Sequence, residues 1–133
     1  MQQTRICLDY TVTTEKPLLA AVAAVTDRAT AKGFRVLHVH DVAATLASKG
    51  FEREPYQIIE ICQAKAAHQA LASDPLVGLL MPCKVNVYSQ GGKTVLSALR
   101  PAILADFFPG RNLDELAREV DELVCAIVDE ACQ

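Results

Sequence analysis

The sequence predicts an α+β domain: a curved, mainly antiparallel sheet of about five strands packed against helices, one of them a long C-terminal helix. Three observations predict it. Segments of period two alternate with segments of helical period through the first half of the chain. That alternation breaks at Ser89-Gln90-Gly91-Gly92, a hairpin signal between two apolar runs, so a regular parallel βαβ sheet does not fit. Near the C-terminus, Leu113, Leu116, Val120, Leu123, Ile127 and Val128 form one stripe at helical spacing.

Each element has its own local reason. Residues Arg5–Thr13 alternate, with Ile6, Leu8, Tyr10 and Val12 on one side and Cys7, Asp9 and Thr11 on the other. That is a strand with one buried face. Thr14 fits an N-cap, and Glu15, Lys16 and Pro17 fit a first helical turn, where proline costs little. Leu18, Leu19, Val22, Val25 and Ala29 then recur at helical spacing until Gly33 stops the helix. Phe34–His40 reads as a second strand, with Val36, His38 and His40 on one face and Leu37 and Val39 on the other. Asp41 suits the cap of a short helix, Val42–Lys49, closed by Gly50.

Phe51–Pro55 is a charged loop, and Tyr56–Cys62 is a nearly continuous apolar strand. Ala64–Ala72 is helical by composition. Ser73-Asp74-Pro75 ends it, because the residue before proline avoids the helical region. Leu76–Met81 reads equally as a helical turn or a strand lead-in. Lys84–Tyr88 and Thr94–Leu99 are the hairpin strands. Ala102–Phe108 is a short apolar segment before Pro109-Gly110. Asn112 and Glu115 have capping-box spacing at the start of the last helix.

The bulk numbers bound the function. The chain has 133 residues, which argues for a single domain over 1–133. Formal net charge is −3 with the signs interspersed, so no basic footprint for nucleic acid or an anionic membrane is present. Apolar runs fall short of the roughly 20 residues of a membrane span. The polar N-terminus carries no secretory pattern, and the expected location is cytoplasmic. Five cysteines, an odd number, are expected to be reduced thiols there. No C-x-x-C or zinc-finger spacing occurs, and no cofactor is expected.

From Cys62 to Pro101 the chain resembles the family called domain of unknown function 302. The resemblance rests on Cys62 at a strand end and a helix with Ala67, Ala70 and Leu71. It continues through Asp74-Pro75, Gly78-Leu79-Leu80 and Pro82-Cys83. Val85-x-Val87, a glycine turn and a Ser-Ala strand ending near Pro101 complete it. The Phe34-Arg35-Val36 strand and the helix before it also fit, so nearly the whole chain is covered. Gln63-Ala64 departs from the Asn-Pro of many members, which bears on the cap of the following helix. The resemblance implies a TATA-box-binding-protein-like α+β fold and a homodimer. It implies no activity, only a link to sulfur metabolism through genes near those of some members. The fold is no argument for DNA binding.

The chemistry-bearing residues allow three readings. Cys62 ends one strand, Cys83 begins another, and His68 lies on the helix between them. If the strands are antiparallel neighbours, both thiols fall at one edge of the sheet. A thiol beside a helix N-terminus is favoured as thiolate, and Cys62 immediately precedes the Ala64 helix. His68 would add positive charge or act as base. The first reading is therefore a sulfur-carrier or redox-sensing protein with a sulfur-transfer or small-molecule partner. The second makes both cysteines small buried hydrophobes in a ligand-binding or structural dimer. The third takes His38 and His40, which project alike as an H-x-H pair, as metal ligands of an enzyme. Gly91-Gly92 is a turn and no phosphate loop, since no helix follows it. Arg100 suits a surface salt bridge.

Overall fold

The structure, a computed structural model, describes residues 7–133. The elements run β1 (Asp9–Thr14), α1 (Leu18–Ala31), β2 (Arg35–Asp41), α2 (Val42–Ala47), β3 (Tyr56–Cys62) and α3 (Ala64–Ser73). A 3-10 segment (Pro75–Leu80) follows, then β4 (Cys83–Gln90), β5 (Lys93–Leu99), α4 (Ile103–Phe107) and α5 (Asp114–Ala131). The expected strand start at Arg5-Ile6 lies outside the described residues.

The five strands form one sheet in the order β1-β5-β4-β3-β2, with every neighbouring pair antiparallel. Ile59, Ile61, Val85, Val87, Leu96 and Ala98 line the helix-covered face and are buried. Against them sit Ala21, Val25 and Ala29 of α1 and Val124, Ile127 and Val128 of α5. Burying each large side chain contributes roughly 1.5–3 kcal/mol. Alanines at the α1 contact let that helix approach the strands closely. At the β4–β5 hairpin, Gly91 (φ +59°) and Gly92 (φ +79°) both take the left-handed region, as a two-residue turn matching strand twist requires.

Several local expectations need correction. α1 begins after Pro17, not at Thr14. Thr14 ends β1 instead, and its hydroxyl donates to the Cys132 carbonyl at 3.1 Å. Leu19 is 71% exposed, because the buried stripe of α1 runs through Ala21 rather than Leu19. In β2 a bulge between Val36 and His38 breaks the alternation. Val36 and Val39 both pack on the core, so Val36 does not share a face with His38 and His40. Asn112 adopts φ +61° and makes no side-chain cap; α5 starts at Asp114 after Leu113. The ambiguous 76–81 stretch is the 3-10 segment, capped by Asp74.

A second, smaller cluster lies beside the main core. Ala70, Val77 and Leu113 are buried there, with Met81, Leu104, Phe108 and Leu116 packed around them. Leu76 and Leu79 of the same 3-10 segment point outward. Among the described residues, no helix is long and apolar enough to cross a membrane.

Candidate functional site

β3 ends at Cys62 and β4 begins at Cys83, and the two strands are antiparallel neighbours. Both cysteines therefore lie at the same end of the sheet. Both line one cleft beneath α3 and α5, whose other walls include Ala66, Met81, Leu116 and Val120. The cavity volume is about 50 Å³, a third of the roughly 150 Å³ that holds benzene in an engineered apolar site. The cleft accepts a thiol- or methyl-sized group, not a large ligand.

Asp74 caps the 3-10 segment that follows α3. One of its oxygens accepts the Leu76 N–H at 2.9 Å, and the other accepts Arg111 Nε at 2.9 Å. These bonds, the backbone one first, hold the Asp74 carboxyl below the usual range. The 3-10 segment is thereby tied to the loop that leads into α5. The Met81–Pro82 peptide that enters β4 is cis.

The two thiols differ. Burial pushes Cys83 up to about 11, and the nearby Cys62 adds to the effect. Cys83 is thus a neutral S–H at pH 7. By exposure both cysteines are half-buried, and Cys62 stands one residue before Gln63, the N-cap of α3. Cys83 lies opposite Ile61, so Cys62 is one step past that pairing. Both are free thiols. His68 is not brought to the thiols: α3 turns Gln63, Ala66, Ala67 and Ala70 to the cleft, while His68 is exposed.

His38 and His40 do come together, on the sheet face without α1 and α5. Their ring centroids are 4.3 Å apart, edge to face. His40 Nε2 lies 3.0 Å from Glu60 Oε1 on β3. Among the described residues, no group of three or more His, Cys, Asp or Glu is placed to hold a metal ion.

With the geometry in place, the comparisons with known proteins are direct. The family model "Domain of unknown function DUF302" matches residues 10–131. The chain belongs to the DUF302 family. One solved DUF302 structure is the crystal structure of an uncharacterized conserved protein from Bacillus stearothermophilus. It is 27% identical, covers 96% of this chain and 100% of its own, and superposes with a TM-score of 0.89. No curated protein matches. Of the residues that carried the resemblance to DUF302, Cys62, Ala67, Ala70 and Pro82-Cys83 line the cleft.

Sequence reasoning missed two arrangements. Arg100, expected at a surface salt bridge, makes a two-pronged pair with the buried Asp121, at 2.7 and 3.2 Å. Asp121 also accepts the Ala102 N–H at 3.1 Å. A signal existed: Asp121 falls inside the apolar stripe of α5, four residues after Ala117 and three before Val124. The other is on the opposite sheet face. Tyr56 and Tyr88 stack across β3 and β4, with centroids 4.9 Å apart, and Asn86 Nδ2 donates to the Tyr56 hydroxyl at 2.8 Å. The spacing along one strand shows nothing of a pair across two.

Proposed function

We propose that the protein is a thiol-based sulfur carrier or redox-responsive binding protein in which Cys62 is the working sulfur. The observation that carries this reading is two free thiols lining one small apolar cleft. Cys83 is held as a neutral thiol by its burial. Cys62, half-buried, lines the same cleft. In a transfer step, the Cys62 thiolate attacks the terminal sulfur of a small persulfide, R–S–SH. A bond forms between Cys62 Sγ and that sulfur while the S–S bond of the donor breaks. The thiol leaves as RS⁻, the terminal proton stays on the transferred sulfur, and no net oxidation occurs. A reducing cytoplasmic compartment would keep both thiols available.

The test is alkylation of each cysteine in the reduced native protein, read by peptide mass spectrometry. At pH 7, a thiol of pKa about 11 is thiolate in about one molecule in ten thousand. A free thiol is thiolate at a few per cent, so Cys83 should react roughly a hundredfold more slowly than a free cysteine. Cys62, as the working sulfur, should be labelled faster than Cys83. If Cys62 stays silent until the protein unfolds, the reading is wrong and both cysteines are packing residues.

A further inference from the structure

The residues leading into β1 and the middle of α5 each carry a thiol that does not line the cleft. The Leu8 carbonyl accepts the Arg100 N–H at 2.8 Å, which carries the β1–β5 pairing one step past Asp9 and Leu99. Cys7, the next residue out, is exposed. Its sulfur lies 3.6 Å from the Asp9 carbonyl oxygen and beside the Arg100 guanidinium. On α5, the half-buried Cys125 holds its sulfur 3.9 Å from Asp121 Oδ2. That same oxygen accepts Arg100 Nη2 at 2.7 Å. One ion pair, anchored by the buried Asp121, therefore has a thiol at each end: Cys7 at the guanidinium and Cys125 at the carboxylate. Burial first, then the Asp121 charge, pushes the Cys125 thiol up, so it stays S–H while Cys7 meets solvent. The other cysteines lie elsewhere. Cys83 is two strands from Cys7 in the order β1-β5-β4, roughly 10 Å. Cys132 is almost two turns beyond Cys125, where its carbonyl receives the Thr14 hydroxyl.

We propose that Cys7 and Cys125 form a peroxide-responsive thiol pair, which closes as a disulfide across the Arg100–Asp121 ion pair and ties the start of the edge strand β1 to α5. The exposed Cys7 reacts first. Its thiolate attacks one oxygen of a hydroperoxide. An S–O bond forms, the O–O bond breaks, and the second oxygen leaves as hydroxide or alkoxide. The sulfur is oxidised by two electrons and the peroxide is reduced. Cys125 then attacks the sulfenic acid on Cys7. The S–S bond forms as the S–O bond breaks, and the departing hydroxide takes the Cys125 proton to become water. Asp121 Oδ2 is the adjacent acceptor through which that proton passes. This inference is separate from the reading of Cys62.

The test adds hydrogen peroxide to the reduced Cys62→Ser protein, so that the sulfur proposed to work in the cleft takes no part. Alkylation and digestion without reductant follow, read by peptide mass spectrometry. The expected result is a Cys7–Cys125 cross-linked peptide formed within one chain, absent when Cys7→Ser or Cys125→Ser is added. Dimedone, which traps sulfenic acid, should label Cys7 several-fold more when Cys125→Ser is added, because the partner thiol is gone. If Cys125→Ser does not fold, the cross-link in the parent protein and its loss on adding the exposed-site change Cys7→Ser still decide the matter. A link from Cys7 to Cys83, or to Cys7 of a second copy, overturns the proposal. So does dimedone labelling of Cys7 that is indifferent to Cys125, or a Cys7 that peroxide leaves unmodified.

Discussion

The two seams of the helix layer are built differently. Between α1 and α5, Val25, Ala29, Val124, Ile127 and Val128 are fully or almost fully buried, and the seam closes over the middle of the sheet. Between α3 and α5, alanines and long polar residues of α3 face Leu116, Val120 and Leu123 of α5, and the seam stays open as a groove. Charge ties the ends of both. Lys32 pairs with Glu130 at 2.7 Å across the first. Asp74, just after α3, pairs with Arg111, ahead of α5, at 2.9 Å. One seam supplies stability through apolar area. The other leaves space that a binding site needs, and the cysteines open into it. The lesson is that the same sheet end can be well anchored and still hollow.

That contrast is easiest to break in the closed seam. Ile127→Ala should cost about 2–5 kcal/mol of unfolding free energy, the range for a large buried side chain cut to alanine in a packed core. Urea denaturation followed by circular dichroism measures it. A loss under about 1 kcal/mol would mean that the seam relaxes like the open one.

The next effect tests the floor of the open seam. Cys83 has a raised pKa in the folded state, about 11 against a reference of 9.0. Between those two values the unfolded chain gives up this proton and the folded protein keeps it. Stability from this group is complete below pH 9 and falls as pH rises toward 11. Comparing wild type with Cys83→Ala isolates it from the other groups that titrate there. Wild type should lose up to roughly 2 kcal/mol more across that window. Parallel curves for the two proteins would place Cys83 in contact with water.

The smallest effect on stability belongs to the outer lip. Leu79 is 80% exposed on the 3-10 segment. Leu79→Ser should change stability by no more than about 0.5 kcal/mol. If two copies of the chain pair through this lip, the same change should shift sedimentation toward the monomer. Wild type that sediments as a monomer at high concentration would reject the pairing, while an unchanged dimer would move it to another surface.

Much of this was legible in the residues. Alternation marked β1, a nearly continuous apolar run marked β3, Gly91-Gly92 marked the hairpin, and Asp74-Pro75 marked the end of α3. Each signal is local, because a turn or a cap is decided by a few neighbouring dihedral angles. Errors arose where a distant contact overrode local preference. The bulge in β2 turned Val36 to the core, since pairing with Ile61 and Ile59 rewards burial of both valines. Asn112 fitted a cap by composition, yet the chain turns there through positive φ to enter α5.

The sequence by itself determined that Cys62 and Cys83 sit at strand ends flanking a helix, because periodicity and proline fix where strands begin and stop. Only the tertiary structure decided that the two strands are neighbours, that both thiols line one cleft whose desolvation raises the Cys83 thiol, and that His68 points elsewhere. Burial and adjacency depend on which surfaces pack together across the chain, and the environment of a thiol follows from that packing rather than from its neighbours in sequence.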